Sequence, residues 1–392
     1  MKILLTVEFY EPRKGGAEEV IKQIAEKFVK SGHDVYVATS FLPNRSNKII
    51  NGVKIKQFKI SGNLVRGING DKRKIEKYKK FLENNNFNLI FNYASQSWTT
   101  DLMFSILDKI SSKKILAPVG YSNLNNPKYK EYFKKLPEYL KKYDTLIYHS
   151  KNYQDYIFGE KNNLNDKAII ISNGASYEEF VNENFFDIKK KLKIKTKYLI
   201  ISVSNHYRAK GHHFVISSFK KMNRNDASLL IIGNKKVSYG WHRWAHFILD
   251  YLWCWLSSKI NKNILLSNGD NRNFVISAYK QADLFLFGSQ VECAPLVMYE
   301  SFASKTPFVS TPVGNVSDYK DIVKIVYNEN EMAKISNYLL DHDSERLHVA
   351  EEAFQAWKKN YTWDKISSKY ENILSKHNPI TKNSLKKSTI EK

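Results

Sequence analysis

The stretch VECAPLVMYE, residues 291–300, sets Glu292 and Glu300 eight positions apart around an apolar run, with Pro295 between them. The preceding ADLFLFGS reads as a buried strand. A helix is expected to begin at Pro295, because proline's missing N–H is no loss at the first helical position. Glu292 then stands in the loop before the helix and Glu300 in its second turn. The free N–H groups of such an end carry roughly half a positive charge and suit a phosphate. One ligand could meet a carboxylate at each end and backbone donors in the middle. A nucleotide-sugar has that layout: sugar hydroxyls, diphosphate, ribose hydroxyls. Taken alone, the pair reads more simply as two solvated acids on a helix edge.

Other groups of the right chemistry are scattered. Lys210 lies in SNHYRAKGHHF beside Gly211, with Arg208, Asn205, His206, His212 and His213 close by. The histidines lack a carboxylate or cysteine companion at metal-binding spacing, so they are expected to be polar loop residues and no metal site is expected. The two cysteines, Cys254 and Cys293, show neither a disulfide framework nor ligand spacing. Cys293 has no histidine near it in sequence and reads as an inert small residue. Gly15-Gly16 is by itself a plain tight turn.

The elements that must position these groups follow a rhythm. KILLTV reads as a strand, EFYEPRKGG as a loop and AEEVIKQIAEKFVKSG as a helix with Val20, Ile21, Ile24, Phe28 and Val29 at helical spacing. HDVYVATS supplies the next strand, and FNLIFNYAS, KKILAPVG, YDTLIYHS and AIIISNG continue the series. From KYLIISVSN the rhythm starts afresh and runs through ASLLIIGN, NILLSNG, ADLFLFGS and TPFVSTPVG. The expected fold class is therefore α/β, with two Rossmann-like doubly wound domains. Their expected extents are 1–175 and 176–375, with a hinge near 175–195, the last helix allowed to cross back to the first domain, and a disordered basic tail over 376–392. A chain of 392 residues is long enough for two cores.

With the elements in place, the sequence resembles glycosyltransferase family four, whose fold is GT-B, two domains facing across a cleft. Glu-x7-Glu followed by SFASKTPFVSTPVGNVSDY resembles that family's donor-site signature. MKILLTVEFYEPRKGGAEEVIKQIAEKFVKSGHDVYVAT is similar to its opening strand, Gly-Gly loop and first helix. ISNGASYEEF resembles its Asn-Gly turn, and SNHYRAKGHHFVISSFKKM its Lys-Gly loop and helix. The four segments occur in the family's order.

The resemblance implies a retaining, metal-independent hexosyltransferase-like enzyme with a nucleotide-sugar as co-substrate and no cofactor. Glu292 would hydrogen-bond donor-sugar hydroxyls and Glu300 the ribose hydroxyls. Lys210 would hold the diphosphate and offset charge building there as the glycosidic bond breaks. Leu296 and Val297 would offer backbone N–H groups to phosphate, and Gly15 and Gly16 a close approach to the donor. The departing phosphate oxygen would take the acceptor's proton. Three positions depart from the family. Asn205 stands where an arginine is common, with Arg208 as the replacement charge. Gly120-Tyr121 stands where a histidine is common, and Ser176 replaces an acid in the Asn-Gly turn.

The chain carries 62 Lys+Arg against 39 Asp+Glu, a formal charge of +23, which favours an anionic partner. The N-terminus lacks a secretory pattern and no apolar run reaches the ~18 residues of a spanning helix, so a cytoplasmic location is expected. YGWHRWAHFILDYLWCWLSSKIN (239–261) holds four tryptophans. On a helix, Trp241, Trp244, Ala245, Ile248, Leu252, Trp255 and Leu256 share a face, with Arg243, His246, Asp250 and Ser257 elsewhere. That face fits either an interfacial helix on an anionic membrane or packing on its own domain or against a protein partner. With the basic runs DKRKIEKYKKF and PKYKEYFKKLPEYLKKYD it points to a peripheral enzyme at the inner membrane face. The expected acceptor is a glycan or lipid-linked hydroxyl in surface polysaccharide or glycolipid synthesis. The rival readings are a nucleotide-sugar epimerase or phosphorolytic enzyme of the same fold and, from another class, a nucleic-acid-binding protein. The latter lacks any recognition motif, and no nucleic acid is expected.

Overall fold

The computed structural model describes residues 1–181, 186–234 and 241–376, with the backbone alone over 241–247. The expected tail at 376–392 lies, from residue 377 on, outside the described residues. Two compact units are present, Met1–Ser172 with the segment from Asp364, and Asn173–Trp363.

In the first unit, the strands are β1 (Lys2–Thr6), β2 (Asp34–Ser40), β3 (Ile49–Ile50), β4 (Val53–Phe58), β7 (Leu89–Tyr93), β8 (Lys113–Ala117), β9 (Thr145–Tyr148) and β10 (Ala168–Ile170). They form one sheet in the order β10-β9-β8-β7-β1-β2-β4-β3, while β5 (Ser61–Asn63) and β6 (Gly67–Asn69) make a separate hairpin. Every pairing in the large sheet is parallel except β3–β4. Central strands buried on both faces explain their largely apolar sequences. Helices α1 (Gly16–Lys30), α2 (Lys72–Asn84), α3 (Trp98–Phe104), α4 (Lys130–Leu140) and α5 (Gln154–Lys161) flank the sheet. Helix α1 buries Val20, Ile21, Ile24, Ala25 and Phe28, and its Glu18 and Glu19 in the first turn with Lys27 and Lys30 in the last complement the helix dipole.

The second unit holds α6 (Tyr177–Val181), α7 (Ile188–Leu192), β11 (Tyr198–Val203), α8 (His212–Met222), β12 (Ala227–Ile232), α9 (Trp241–Ile260), β13 (Ile264–Ser267), α10 (Arg272–Gln281), β14 (Leu284–Phe287), α11 (Leu296–Ala303), β15 (Phe308–Ser310), β16 (Lys324–Ile325), α12 (Glu329–Asp341) and α13 (Asp343–Asn360). Its sheet is parallel throughout, ordered β13-β12-β11-β14-β15-β16. Two apolar clusters sandwich it, one including Ile201, Phe285, Met298 and Trp357, the other Ile200, Phe219, Leu286 and Leu339.

The last helix, α14 (Trp363–Lys376), packs within the first unit: the Tyr370 ring lies 5.8 Å from that of Phe91, Lys27 pairs with Asp364, and the Ser31 hydroxyl donates to Glu371. Among the parallel strands of each sheet the order reverses at one place, between β1 and β7 in the first and between β11 and β14 in the second. Ligands of doubly wound sheets bind beyond the carboxyl ends of the strands at such reversals. The loops after β11 and β14 are the ones that carry Lys210 and Glu292.

Candidate nucleotide-sugar site

The loop after β11 ends in a 3-10 turn, Arg208–Lys210, and Gly211 in the left-handed conformation (φ 70°) leads into α8. A β-carbon on Gly211 would stand 1.8 Å from the Gly288 carbonyl oxygen. Glycine at 211 thus serves both the backbone turn and the contact with the loop after β14. Gln290 N donates to Ala209 O at 2.8 Å and the Ser289 hydroxyl to the same oxygen at 3.1 Å, which ties the two loops together.

On this frame Lys210 Nζ lies 2.6 Å from Glu292 Oε1, and the Ser289 hydroxyl donates to that oxygen at 3.3 Å. Both side chains keep partial access to solvent, 31% for Lys210 and 16% for Glu292. Behind Glu292, Gly314 (φ 59°) approaches so closely that a β-carbon would sit 2.5 Å from Cys293 O, and Asn315 N donates to that same oxygen at 2.9 Å. Asn173, of the Asn-Gly turn, donates from Nδ2 to Ala294 O at 2.9 Å. The strand–loop–helix connection is thereby pinned on both sides.

Helix α11 begins at Leu296, with Pro295 as its extended cap (φ −67°, ψ 123°), one residue later than the start expected from proline alone. The N–H groups of Leu296 and Val297 have no carbonyl within the helix to reach. Glu300, one turn on, pairs with Arg272: Nη2 to Oε1 is 2.6 Å. Arg272 also forms a two-point contact with Glu179, Nε to Oε1 at 3.2 Å and Nη2 to Oε2 at 2.7 Å. Burial works against the charge on Arg272, but the Glu300 and Glu179 carboxylates outweigh it and hold the guanidinium protonated well above its ordinary range. Burial, with Glu300 beside it, likewise pushes the Tyr279 phenol well up.

Of the residues singled out in the sequence, the structure brings Lys210 and Glu292 into contact and sets Leu296, Val297 and Glu300 on the helix that follows. Arg208 is exposed on the same turn as Lys210 and forms no ion pair among the described residues; Asn205 is half-buried at the start of the loop after β11. Gly15 and Gly16 belong to the other unit, where Gly15 caps α1 and accepts from Glu19 N at 2.9 Å. Gly120 and Tyr121 donate their backbone N–H groups to Asp155 at 2.6 and 2.7 Å. The Ser176 hydroxyl accepts weakly from Glu179 N at 3.4 Å, so a cap survives without the acid.

Two residues escaped sequence reading. Arg272 opens α10, and a cation at a helix N-terminus opposes the dipole, which is a signal that a carboxylate waits nearby. Asp250 is the other. The periodicity of α9 sets it and Ser257 off the aromatic face, yet both are buried, as is Cys254, whereas Leu249, Leu252, Trp253, Trp255, Leu256 and Ile260 are exposed. The reason is chemical: Asp250 Oδ2 lies 3.0 Å from His206 Nδ1 and 2.7 Å from His212 Nδ1, and these buried partners draw that face of the helix inward. The histidines thus have the carboxylate and cysteine companions that spacing alone concealed. The side chains of Trp241, Trp244 and Ala245 lie outside the described residues. Among the described residues no helix is long and apolar enough to cross a membrane.

Comparison with known proteins shows what this chain is similar to. A probable sucrose-phosphate synthase of Thermosipho melanesiensis is 26% identical over 220 residues, which are 55% of this chain and 49% of that protein, so the match spans about half the relative's length. An uncharacterised glycosyltransferase of Methanocaldococcus jannaschii, MJ1607, is 25% identical over 95% of this chain and 97% of its own. Among solved structures, Anabaena HepE in complex with UDP-glucose superposes with a TM-score of 0.73 at 13% identity, covering 96% of this chain and 100% of that one. The fold is the GT-B architecture of those glycosyltransferases. Residues 183–356, the stretch that holds Lys210, Arg272, Glu292 and Glu300, match the family described as glycosyl transferases group 1, and the candidate site therefore lies within the part of the chain that resembles that family.

Proposed function

We propose that the protein is a retaining glycosyltransferase that moves a hexose-like unit from a nucleotide-sugar to a hydroxyl acceptor, with no metal ion at the reacting bond. The observation that carries this reading is the Lys210–Glu292 contact at 2.6 Å beside the open N-terminus of α11, with Glu300 one turn further along that helix. A carboxylate paired with a cation, then backbone donors, then a second carboxylate match what a sugar, a diphosphate and a ribose require. The HepE structure holds UDP-glucose, and a nucleotide-sugar is the donor class carried over to this chain.

In this reading the diphosphate draws the Lys210 ammonium into a shared contact and takes hydrogen bonds from the Leu296 and Val297 N–H groups. Glu292, relieved of part of its pairing, accepts from sugar hydroxyls, and Glu300, held by Arg272, accepts from the ribose. The acceptor oxygen bonds to the anomeric carbon on the face the diphosphate leaves. The carbon–phosphate-oxygen bond breaks with its electron pair staying on the diphosphate, and that oxygen takes the acceptor's proton. Lys210 lowers the barrier by stabilising the charge that develops there.

The exposed side of α9 favours a peripheral place on an anionic bilayer. Leu249, Leu252, Trp253, Leu256 and Ile260 form an apolar row, and the Lys220 and Lys259 ammonium groups lie 5.9 and 5.7 Å from the Trp253 and Trp255 ring centroids. Tryptophan flanked by lysine suits the boundary between acyl chains and anionic headgroups. A lipid-linked or envelope acceptor follows from that location, and the role is surface polysaccharide or glycolipid synthesis.

The test is a panel of nucleotide-sugars with and without hydroxyl acceptors, read by nucleoside diphosphate release and by product anomeric configuration. Acceptor-dependent release with retention supports the assignment. Conversion of the donor to its epimer without an acceptor replaces transfer with epimerisation.

A further inference from the structure

We propose that His206, His212, Asp250 and Cys254 form a structural zinc site that clamps α9 to the loop bearing Lys210. One ligand atom from each residue lies within 4.8 Å of every other, and all four residues are buried. Two imidazoles, a carboxylate and a thiolate make a complete four-ligand set for zinc, and the thiolate and carboxylate charges together balance a divalent ion. That neutrality matters in this setting, since the side chains of His206, His212 and Asp250 are 1%, 0% and 3% exposed and an uncompensated charge there is costly.

The arrangement of the backbone fits. Asp250 and Cys254 are four residues apart and so project from one face of α9. His206 and His212 bracket the Lys210-Gly211 turn. Both histidines turn Nδ1 to the Asp250 oxygen, and the other nitrogen of His212 lies 2.8 Å from the Ser204 hydroxyl. A ligand histidine typically spends its second nitrogen on such a partner, which fixes the ring. Tetrahedral zinc with bonds of about 2.0 to 2.3 Å spaces its ligand atoms about 3.3 to 3.7 Å apart. The contacts of 2.7 and 3.0 Å from Asp250 open by roughly half an ångström, and the widest pair closes by about one, to reach that geometry.

The ion is structural, because all four positions are filled by protein. It holds the Lys210 turn from both sides, while the opposite face of α9 carries the exposed apolar row. The coordinated thiol is a thiolate.

The experiment uses the full chain purified without chelator. Elemental analysis is expected to give about one zinc per chain. After chelation, cobalt(II) is added in place of zinc and the thiolate-to-cobalt charge-transfer absorption is recorded. The chain has two cysteines. The absorption is therefore expected to persist in Cys293→Ser and to vanish in Cys254→Ser. If Cys254→Ser fails to fold, the band in Cys293→Ser alone assigns the thiolate to Cys254. Absence of stoichiometric zinc together with no cobalt band in the wild-type chain overturns the proposal, as does a band lost in Cys293→Ser. None of these readouts depends on transferase activity, so the zinc site and the donor assignment stand or fall separately.

Discussion

Lys210 and Glu292 meet at 2.6 Å although 82 residues separate them, because Gly211 and Gly288 let their two loops touch backbone to backbone. The ion pair is partly solvated, and such pairs contribute about 0–1 kcal/mol to stability. The contact is therefore poised for exchange: a phosphate can displace or share the lysine at little cost to the fold.

Gly211→Ala is expected to be more damaging than Gly32→Ala, although both glycines have a positive φ. At Gly32 nothing lies within 4 Å of an added β-carbon, and the loss is the left-handed backbone penalty of about 1–2 kcal/mol. At Gly211 the added carbon also meets the Gly288 carbonyl at 1.8 Å, adding an overpacking cost of about 1–3 kcal/mol. Chemical denaturation of the two variants measures the difference.

Removing Arg272 should impair donor affinity through Glu300. Arg272→Met leaves Glu179 and Glu300 without their shared guanidinium, and Glu300 is only 12% exposed. Arg272→Lys keeps the charge and loses the two-point contact with Glu179. The expected order of KM for the donor is wild type, then lysine, then methionine, with kcat changing less. Equal KM values in all three proteins would detach Arg272 from the site.

The first unit should lose stability as pH rises through about 6. Burial pushes the Asp101 carboxyl up to about 6, against the hydrogen bonds from Leu64 N and Tyr132, and burial does the same for Asp155. A carboxyl whose folded pKa is raised binds its proton more tightly when folded. Its contribution is complete below the unfolded value near 3.8 and is lost as pH climbs through the folded one. Thermal melts of the wild-type chain should therefore shift down between about pH 4 and 7, and Asp101→Asn should flatten part of that slope.

Flotation with anionic vesicles tests the outer face of α9. The wild-type chain is expected to float with them and to dissociate as salt rises. Trp253→Ser with Leu256→Ser should reduce flotation while leaving the melt unchanged, since both side chains are already exposed. Equal flotation of the double variant would remove the helix from the membrane assignment.

Sequence showed most where structure is local. The strand–loop–helix units around Lys210 and Glu292 lie within a few tens of residues, so apolar periodicity and Gly-Pro punctuation exposed them. What it concealed depends on distant partners. Arg272 meets Glu179 from 93 positions away, and the ends of the Asp250 clamp are 38 and 44 residues apart. The aromatic pattern of α9 gave no hint that its polar side turns inward, because two buried imidazoles supplied by another loop decide that orientation. Strand order was equally hidden: the rhythm predicts parallel sheets but not which strands flank each reversal.

The central claim is that Lys210, Glu292 and Glu300 serve one activated sugar. Its most direct test is the thermal shift of the wild-type, Lys210→Ala and Glu300→Ala chains across UDP, UDP-glucose and other nucleotide-sugars, since a bound ligand raises apparent stability by mass action. We predict that at least one nucleotide-sugar raises the wild-type melting temperature by several degrees and that each variant, melting within a few degrees of the wild type on its own, loses most of that rise. Equal ligand-induced shifts in all three chains would contradict the claim.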